Sequence, residues 1–160
     1  MNNAFGVLFV CLGNICRSPT AHAVFETLAE REGLLPKLTV DSCGTGSWHI
    51  GQPPDARMQK TAARRGYDLS QLRARRLASD DFHRFDYILA MDTRNLADVM
   101  QKAPDNYSGR ISLLLDFSPE KNMLEVPDPY YGGEDGFDHV VSLVESACEG
   151  LLQDIKRQHG

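Results

Sequence analysis

The sequence predicts an α/β fold, in which one four-stranded parallel sheet is covered by helices on both faces. Short apolar runs of the kind that form buried strands alternate along the chain with longer stretches of helical periodicity. The chain has 160 residues, which fits a single domain over residues 1–160 with a sizeable core. In a sheet of this kind, ligands bind outside the carboxyl ends of the strands.

Four apolar segments are predicted to form the strands, at residues 5–10, 38–42, 85–91 and 110–115. Residues with helical spacing predict helices at 18–32, 55–65 and 136–157, a brief helical turn at 79–82, and a helix that Asp92 caps and that ends near Lys102. The last helix has a continuous apolar face, so we expect it to pack on the sheet.

The composition argues against several classes of protein. A net charge of −5 disfavours nucleic acid as a general partner, and no apolar run approaches the length of a membrane span. The N-terminus lacks the basic and apolar pattern of a signal peptide. The four cysteines show no disulfide-framework spacing, which suits a reducing compartment. We therefore expect a cytoplasmic protein.

The segment 11–18, Cys-Leu-Gly-Asn-Ile-Cys-Arg-Ser, joins the first predicted strand to the first predicted helix. Ser18 is predicted to cap this helix, and Pro19 to occupy its first position. Gly13 and Asn14 are the residue types that most readily adopt positive φ, as a tight loop requires. A loop of this kind at a helix N-terminus directs its backbone N–H groups towards an anion.

Two side chains indicate which reaction this anion site could catalyse. The planar guanidinium of Arg17 can bind two oxygens of a phosphate, and Cys11 lies in a field that favours its thiolate form. A nucleophilic sulfur at the floor of a phosphate-binding loop indicates covalent phosphoryl transfer. Cys11 and Cys16 have a spacing that zinc permits, but the five histidines are scattered, so we expect no metal and no other cofactor.

Residues 10–19, Val-Cys-Leu-Gly-Asn-Ile-Cys-Arg-Ser-Pro, resemble the signature of the low-molecular-weight protein tyrosine phosphatases almost letter for letter. The resemblance covers nearly the whole chain, from Phe5 to the last helix. It implies hydrolysis of phosphotyrosine and aryl phosphates through a cysteinyl-phosphate intermediate, with Cys11 as nucleophile and Arg17 on the phosphate oxygens. The substrate-binding residues that it implies are Leu12, Gly13, Asn14, Ile15, Cys16, Ser18, Ser42, Trp48, Tyr130 and Tyr131.

Asp128 is the candidate proton donor for the leaving oxygen. It lies between Pro127 and Pro129, which stiffen the backbone and fix the direction of the carboxylate. An aspartate in a loop rich in Pro and Gly is commonly only a turn residue, so the local sequence leaves both interpretations open. The resemblance favours the catalytic one, because Asp-Pro-Tyr at this distance from the C-terminus is similar to the family's general-acid loop.

The resemblance also implies supporting roles around the loop. Ser18 would form a hydrogen bond with the Cys11 sulfur, Asn14 would keep the loop in shape, and Ser42 would bond to Asn14. Asp92 resembles a family aspartate that supports the site, although capping a helix would be enough to explain it.

The rim of the site is predicted to be apolar. Trp48, Tyr130 and Tyr131 resemble the aromatic rim that stacks on a substrate ring, although aromatic residues in loops are often simple packing. Ile15 would form an apolar wall. Since related arginine phosphatases carry threonine there, the isoleucine favours phosphotyrosine.

One basic stretch departs from the family pattern. Residues 73–75 match it, but Leu72 stands where histidine is common, so any hydrogen bond made by that histidine is absent. The basic run 73–76 is otherwise interpreted as a solvated face.

Two other classes of protein compete with this interpretation. Arsenate reductases resemble the same fold and loop but use two further cysteines, and here Cys43 and Cys148 are single and far apart. A phosphoprotein-binding module without activity would lack the nucleophile or the acid. The expected partners are phosphotyrosine-containing proteins, a tyrosine kinase among them, with no nucleic acid and no membrane. The chain would act as a monomer or weak homodimer.

Overall fold

The structure, a computed structural model, describes residues 5–119, 123–129 and 133–159. Within them lie the strands β1 (Phe5–Cys11), β2 (Leu38–Gly44), β3 (Tyr87–Ala90) and β4 (Arg110–Leu113). The helices are α1 (Arg17–Arg31), α2 (Ala56–Arg64), α3 (Asp81–Arg84), α4 (Thr93–Lys102) and α5 (Glu134–His159), with 3₁₀ turns at Leu35–Lys37 and Leu114–Phe117. All four strands are parallel, as predicted, in the order β2-β1-β3-β4.

This strand order creates a crevice at the carboxyl end of β1. From β1 the chain moves to β2 on one side and then crosses to β3 on the other side. The loops that follow β1 and β3 therefore diverge, and a crevice opens between them where this class of fold binds its ligands. Cys11 ends β1, and Asp92 follows β3 after one intervening residue.

Helices cover both faces of the sheet, as the sequence predicts. Successive residues of a strand point to opposite faces, so Phe9 and Cys11 belong to a large apolar cluster that includes residues of α1, α2 and α5. Leu8 and Val10 belong to a smaller cluster with residues of α3 and α4. Since these four strand residues are at most 3% exposed, β1 is buried from both sides.

The start of α1 differs from the prediction. The helix begins at Arg17, with Cys16 as N-cap residue and no side-chain cap, so the expectation that Ser18 caps it was wrong. The Ser18 hydroxyl contacts Cys11 and Asn14 instead, and is thereby unavailable as a cap. Pro19 lies at the third helical position, where a backbone N–H would still have no acceptor within the helix, so the proline is tolerated.

Two strands are shorter than predicted. The β3 ladder begins at Tyr87, and the preceding Asp86 accepts a hydrogen bond from the Gly6 N–H with its side chain at 2.8 Å. Strand β4 ends at Leu113, where the chain turns into a 3₁₀ helix. The helix α5 is longer than predicted at both ends. Among the described residues, no helix is long and apolar enough to cross a membrane.

The packing of the second 3₁₀ turn on α5 depends on Gly150. A Cβ atom at this position would lie 1.8 Å from the carbonyl oxygen of Phe117. Gly136, in the same helix, has room for a Cβ, whose nearest neighbours would be atoms of Pro129 at 3.7 and 3.9 Å.

We expect Gly150→Ala to lower the free energy of unfolding by about 1–3 kcal/mol, because the methyl group forces the 3₁₀ turn away from α5. Gly136→Ala is the matched control and should be neutral or stabilising by up to about 1 kcal/mol, since alanine favours the helix. Urea unfolding of both variants measures the difference. Equal stability of the two would contradict this packing.

Candidate active site

The Cys11 sulfur lies at the end of β1, at the floor of a cavity of about 390 Å³. It accepts a hydrogen bond from the Asn14 N–H at 3.3 Å and lies 2.9 Å from the Ser18 hydroxyl oxygen. The Ser18 oxygen also accepts from the Asn14 side-chain amide at 2.8 Å. Its own single hydrogen is therefore directed to the sulfur, or to the Cys43 carbonyl at 3.3 Å. The sulfur is thus contacted by a backbone N–H and by a hydroxyl group.

Asn14 holds the loop in its unusual backbone shape. Its φ of 59° is the only positive value among the non-glycine residues that the structure describes. Asparagine tolerates this left-handed conformation better than most residues, and its side chain fixes it by donating to Ser18 and accepting from the Arg75 N–H at 3.0 Å.

The prediction that Ser42 forms a hydrogen bond with Asn14 was wrong. The Asn14 side-chain oxygen accepts from the Arg75 backbone, and the Ser42 hydroxyl lies 3.1 Å from Nδ1 of His22 instead. His22 projects from α1 towards β2, so Ser42 ties the sheet to the helix behind the loop.

The cavity brings together most of the site residues predicted from the sequence. Those that line it are Cys11, Leu12, Gly13, Ile15, Cys16, Arg17, Trp48 and Asp128. Asn14, Ser18 and Ser42 are buried behind the cavity wall. Tyr130 and Tyr131, predicted for the rim, lie outside the described residues.

Arg17 is buried and held in place by groups from two other segments. Its Nη1 donates to Asp92 Oδ2 at 2.7 Å and to the Val126 carbonyl at 3.0 Å, and its Nη2 lies 3.7 Å from Asp128 Oδ2. Burial alone would lower the pKa of Arg17, but the charges of Cys11, Asp92 and Asp128 outweigh it and raise the pKa above its ordinary value. The guanidinium therefore stays charged and oriented.

Asp92 both caps a helix and supports the site. Its Oδ1 accepts from the Asn95 N–H at 2.7 Å, which is the predicted N-cap bond of α4, and its Oδ2 pairs with Arg17. One carboxylate therefore connects the loop after β3 to the loop after β1.

Asp128 lies in the cavity wall beside Arg17, with its side chain 38% exposed. This partial exposure leaves it in contact with solvent, while the adjacent Pro127 and Pro129 restrict the backbone on both sides. Asp128 therefore lines the same cavity as Cys11, with its Oδ2 3.7 Å from the Arg17 guanidinium.

His49 is a cavity residue that the sequence analysis missed. Its Cδ2 is 2.9 Å from the position of a Cβ at Gly13, so its ring lies directly against the loop, and its Nδ1 lies 3.0 Å from the Gln52 side-chain oxygen. The neighbouring Trp48 is 69% exposed at the cavity mouth. Adjacency to Trp48 in one loop was the available signal, but scattered histidines gave no reason to single out this one.

Arg75 is also more than the solvated residue that the sequence predicted. Its guanidinium forms two hydrogen bonds to Asp81, at 2.9 and 3.1 Å, and one to Asp41 at 3.0 Å. Its backbone carbonyl accepts from the Gly44 N–H at 2.8 Å. Arg75 therefore braces the end of β2 and Asn14 together, while Arg73 and Arg76 are exposed as expected.

The other three cysteines differ chemically from Cys11. Burial raises the pKa of the Cys16 thiol well above its usual range, and the same cause acts on Cys43 and Cys148. They therefore remain protonated and poorly nucleophilic. In the described part of the chain, no group of three or more His, Cys, Asp or Glu side chains is arranged to hold a metal ion.

Comparison with known proteins gives the family. Residues 6–160 match the family model of the low molecular weight phosphotyrosine protein phosphatases. The chain is 43% identical over 152 residues to the low molecular weight protein-tyrosine-phosphatase YfkJ of Bacillus subtilis, covering 95% of this chain and 96% of that protein. The chain therefore belongs to the low molecular weight protein-tyrosine-phosphatase family, a family of hydrolases.

Solved structures agree with this assignment. A crystal structure of a protein tyrosine phosphatase from Entamoeba histolytica, with Hepes in the active site, is 43% identical, superposes with a TM-score of 0.93 and is matched over 97% of this chain and 99% of that chain. The Drosophila arginine phosphatase is 35% identical, with a TM-score of 0.88 over 94% of this chain and 97% of that chain. The arsenate reductase and the inactive binding module are not favoured.

We expect Asn14→Gly to lower kcat/KM for p-nitrophenyl phosphate about 30-fold, since two hydrogen bonds worth about 1 kcal/mol each are lost while positive φ remains accessible. Asn14→Ala should lower it further, by about another tenfold, because the left-handed backbone costs alanine about 1–2 kcal/mol. Steady-state kinetics with Asn106→Ala as an exposed control measures both. Wild-type rates in both variants would contradict the role of Asn14.

Proposed function

We propose that Cys11, Arg17 and Asp128 hydrolyse phosphotyrosine by double displacement through a cysteinyl-phosphate. The observation that carries this proposal is the arrangement of these three side chains around one cavity. The Cys11 sulfur, contacted by Ser18 and Asn14, faces a cavity whose wall holds Asp128 3.7 Å from the Arg17 guanidinium. A nucleophile, a fixed cation and a partly exposed acid thus meet at one anion-binding loop.

In the first step the Cys11 thiolate attacks phosphorus, the P–O bond to the tyrosine breaks, and Asp128 gives its proton to the leaving phenolate oxygen. Arg17 and the loop N–H groups, including those of the first turn of α1, hold the equatorial phosphate oxygens. In the second step Asp128 takes a proton from water, the water oxygen attacks phosphorus, and the P–S bond breaks. Inorganic phosphate leaves, and the thiolate and the protonated acid are restored.

Ser18 supports the second step in this proposal. Sulfur must leave phosphorus with its electron pair, and a hydroxyl 2.9 Å away can stabilise the charge that returns to it. The Cys43 carbonyl offers the same hydrogen another acceptor while the sulfur is bonded to phosphorus and uncharged.

The cavity walls support an aromatic substrate. Ile15 and Leu12 give the cavity apolar sides, and the exposed ring of Trp48 lies at its mouth, available for stacking. The ring of Trp48 extends over Gly46, where a Cβ atom would come within 1.8 Å of it.

The proposal also covers the domain organisation, the partners and the location of the protein. We propose that residues 1–160 form a single phosphatase domain, which the family match over 6–160 supports. Its phosphoprotein substrates would carry phosphotyrosine and include a tyrosine kinase, with no nucleic acid or membrane partner, and the chain would act as a monomer or weak homodimer. Four free, buried cysteines support a cytoplasmic location, because a reducing compartment keeps them reduced.

We expect Cys11→Ser to abolish hydrolysis of p-nitrophenyl phosphate in the presence of EDTA, and Asp128→Ala to slow it by about 10²–10⁴-fold, the usual contribution of a general acid. Asp105→Asn, an exposed carboxylate in a turn, is the control and should be unaffected. If Asp128→Ala retained wild-type kinetics, another group would be the acid. An inactive wild type would overturn the proposal and favour thiol-dependent arsenate reduction.

We expect the enzyme to hydrolyse phosphotyrosyl peptides in preference to matched phosphoarginyl peptides, since Ile15 offers an apolar wall and no hydrogen-bonding group to a guanidinium. Ile15→Thr should reduce this preference by about 10-fold, a typical effect of a single side chain lining a pocket. Phosphate release from the two peptides measures the ratio. An unchanged ratio in Ile15→Thr would show that selection lies elsewhere.

A further inference from the structure

We propose that Glu125 is a positioning residue for Asp128, because its carboxylate fastens the segment that carries the acid onto the N-terminus of α4. This inference rests on the proposed role of Asp128 as general acid. It adds a residue that neither the loop motif nor the cavity lining identifies.

The contact is a double hydrogen bond. Glu125 Oε2 accepts from both the backbone N–H and the side-chain hydroxyl of Thr93, each at 2.7 Å. Thr93 is the first residue of α4, where the N–H has no acceptor within the helix and the helix dipole favours a negative charge. The Thr93 bonds lower the pKa of Glu125, which keeps the carboxylate charged at neutral pH.

The residue after Glu125 is fixed on both sides of its backbone. The Val126 N–H donates to the Met91 carbonyl at 2.8 Å, and the Val126 carbonyl accepts from Arg17 at 3.0 Å. Pro127 then restricts the backbone before Asp128 is reached. On the other side, Leu124 is 62% exposed, while Met123 packs against the large apolar cluster. The Glu125 carboxylate adds the polar contact that joins this segment to the N-terminus of α4.

The same helix N-terminus holds the cation of the site. Asp92 caps α4 through Asn95 and pairs with Arg17 through its second oxygen. Asp92 and Thr93 are adjacent, so Arg17 and the segment leading to Asp128 are anchored at neighbouring residues. The start of α4 thereby fixes the acid relative to the cation.

Leaving groups of different basicity test this role. An aryl phosphate with a basic leaving group, such as phenyl phosphate, depends on protonation by the acid, whereas p-nitrophenyl phosphate depends on it less. We expect Glu125→Ala to lower kcat/KM for phenyl phosphate, which reports the step in which the leaving group departs, about tenfold, as partial loss of a general acid would. The loss for p-nitrophenyl phosphate should be clearly smaller, and the rate of Cys11 alkylation by iodoacetate should be unchanged.

Two partner variants sharpen this test. Thr93→Val, which removes one of the two bonds, should give a smaller loss of the same kind, and Thr93→Ser should restore wild-type kinetics. Glu30→Ala, at an exposed position of α1, is the matched control and should behave as wild type.

A double-mutant cycle separates positioning from general stability. In an Asp128→Ala background, Glu125→Ala should cause no further loss, because a residue that acts through the acid has nothing left to position. Losses that multiply in the double variant, or equal losses of kcat/KM for both substrates, would overturn the inference and leave Glu125 a structural residue. If Asp128→Ala alone had no effect, Asp128 would not be the general acid, and the inference about Glu125 would be overturned as well. A normal Asp128→Ala effect combined with wild-type behaviour of Glu125→Ala would overturn the positioning role alone.

Discussion

The site depends on the pairing of a buried guanidinium. Arg17 has a side chain only 3% exposed, and a charge removed from water to this degree must be paired and hydrogen-bonded. Asp92, which follows β3, and Val126, near the acid, supply the partners of its Nη1. The pairing therefore connects the loop after β1 with the loop after β3 and with the acid segment. The crevice created by the strand order thus becomes a site with fixed charges.

A second layer keeps the nucleophile's loop in a shape that it would not hold alone. Asn14 adopts a left-handed backbone, and its side chain is satisfied from opposite directions by Ser18 and by the Arg75 N–H. Arg75 is itself held by Asp41 and Asp81. Preorganisation of this kind lets hydrogen-bond donors point at the phosphate without rearranging during the reaction, which is the largest catalytic effect available to such a site.

The sequence predicted the sheet, its parallel strands and the anion-binding loop with Cys11 and Arg17, because these follow from local patterns: apolar runs, and Gly-Asn in a short loop before a helix. The rest of the cavity lining was implied by the resemblance to the family, which also favoured Asp128 as the acid over a simple turn residue. Prediction from the sequence failed where the outcome depends on contacts between distant residues. Ser18 was expected to cap α1 and does not, although the contact with the sulfur that the resemblance implied is present. Ser42 pairs with His22 rather than Asn14, and Arg75 is a brace rather than a solvated residue. For each of these polar groups, the local sequence allows several hydrogen-bond partners equally well. Only the tertiary structure determines which partner is used.

The most direct test of the account is to trap the covalent intermediate. Asp128→Ala would be mixed with p-nitrophenyl phosphate, whose leaving group depends less on the acid, so that the intermediate still forms while its hydrolysis lacks the base. The mixture would be quenched rapidly and digested, and the phosphorylated fragment identified by mass spectrometry. The account predicts that the phosphate is attached to Cys11, in a fragment that the Cys11→Ser variant does not yield. Phosphate attached to another residue, such as His49, would contradict the central role of the Cys11 sulfur, and so would steady turnover with no phosphorylated fragment.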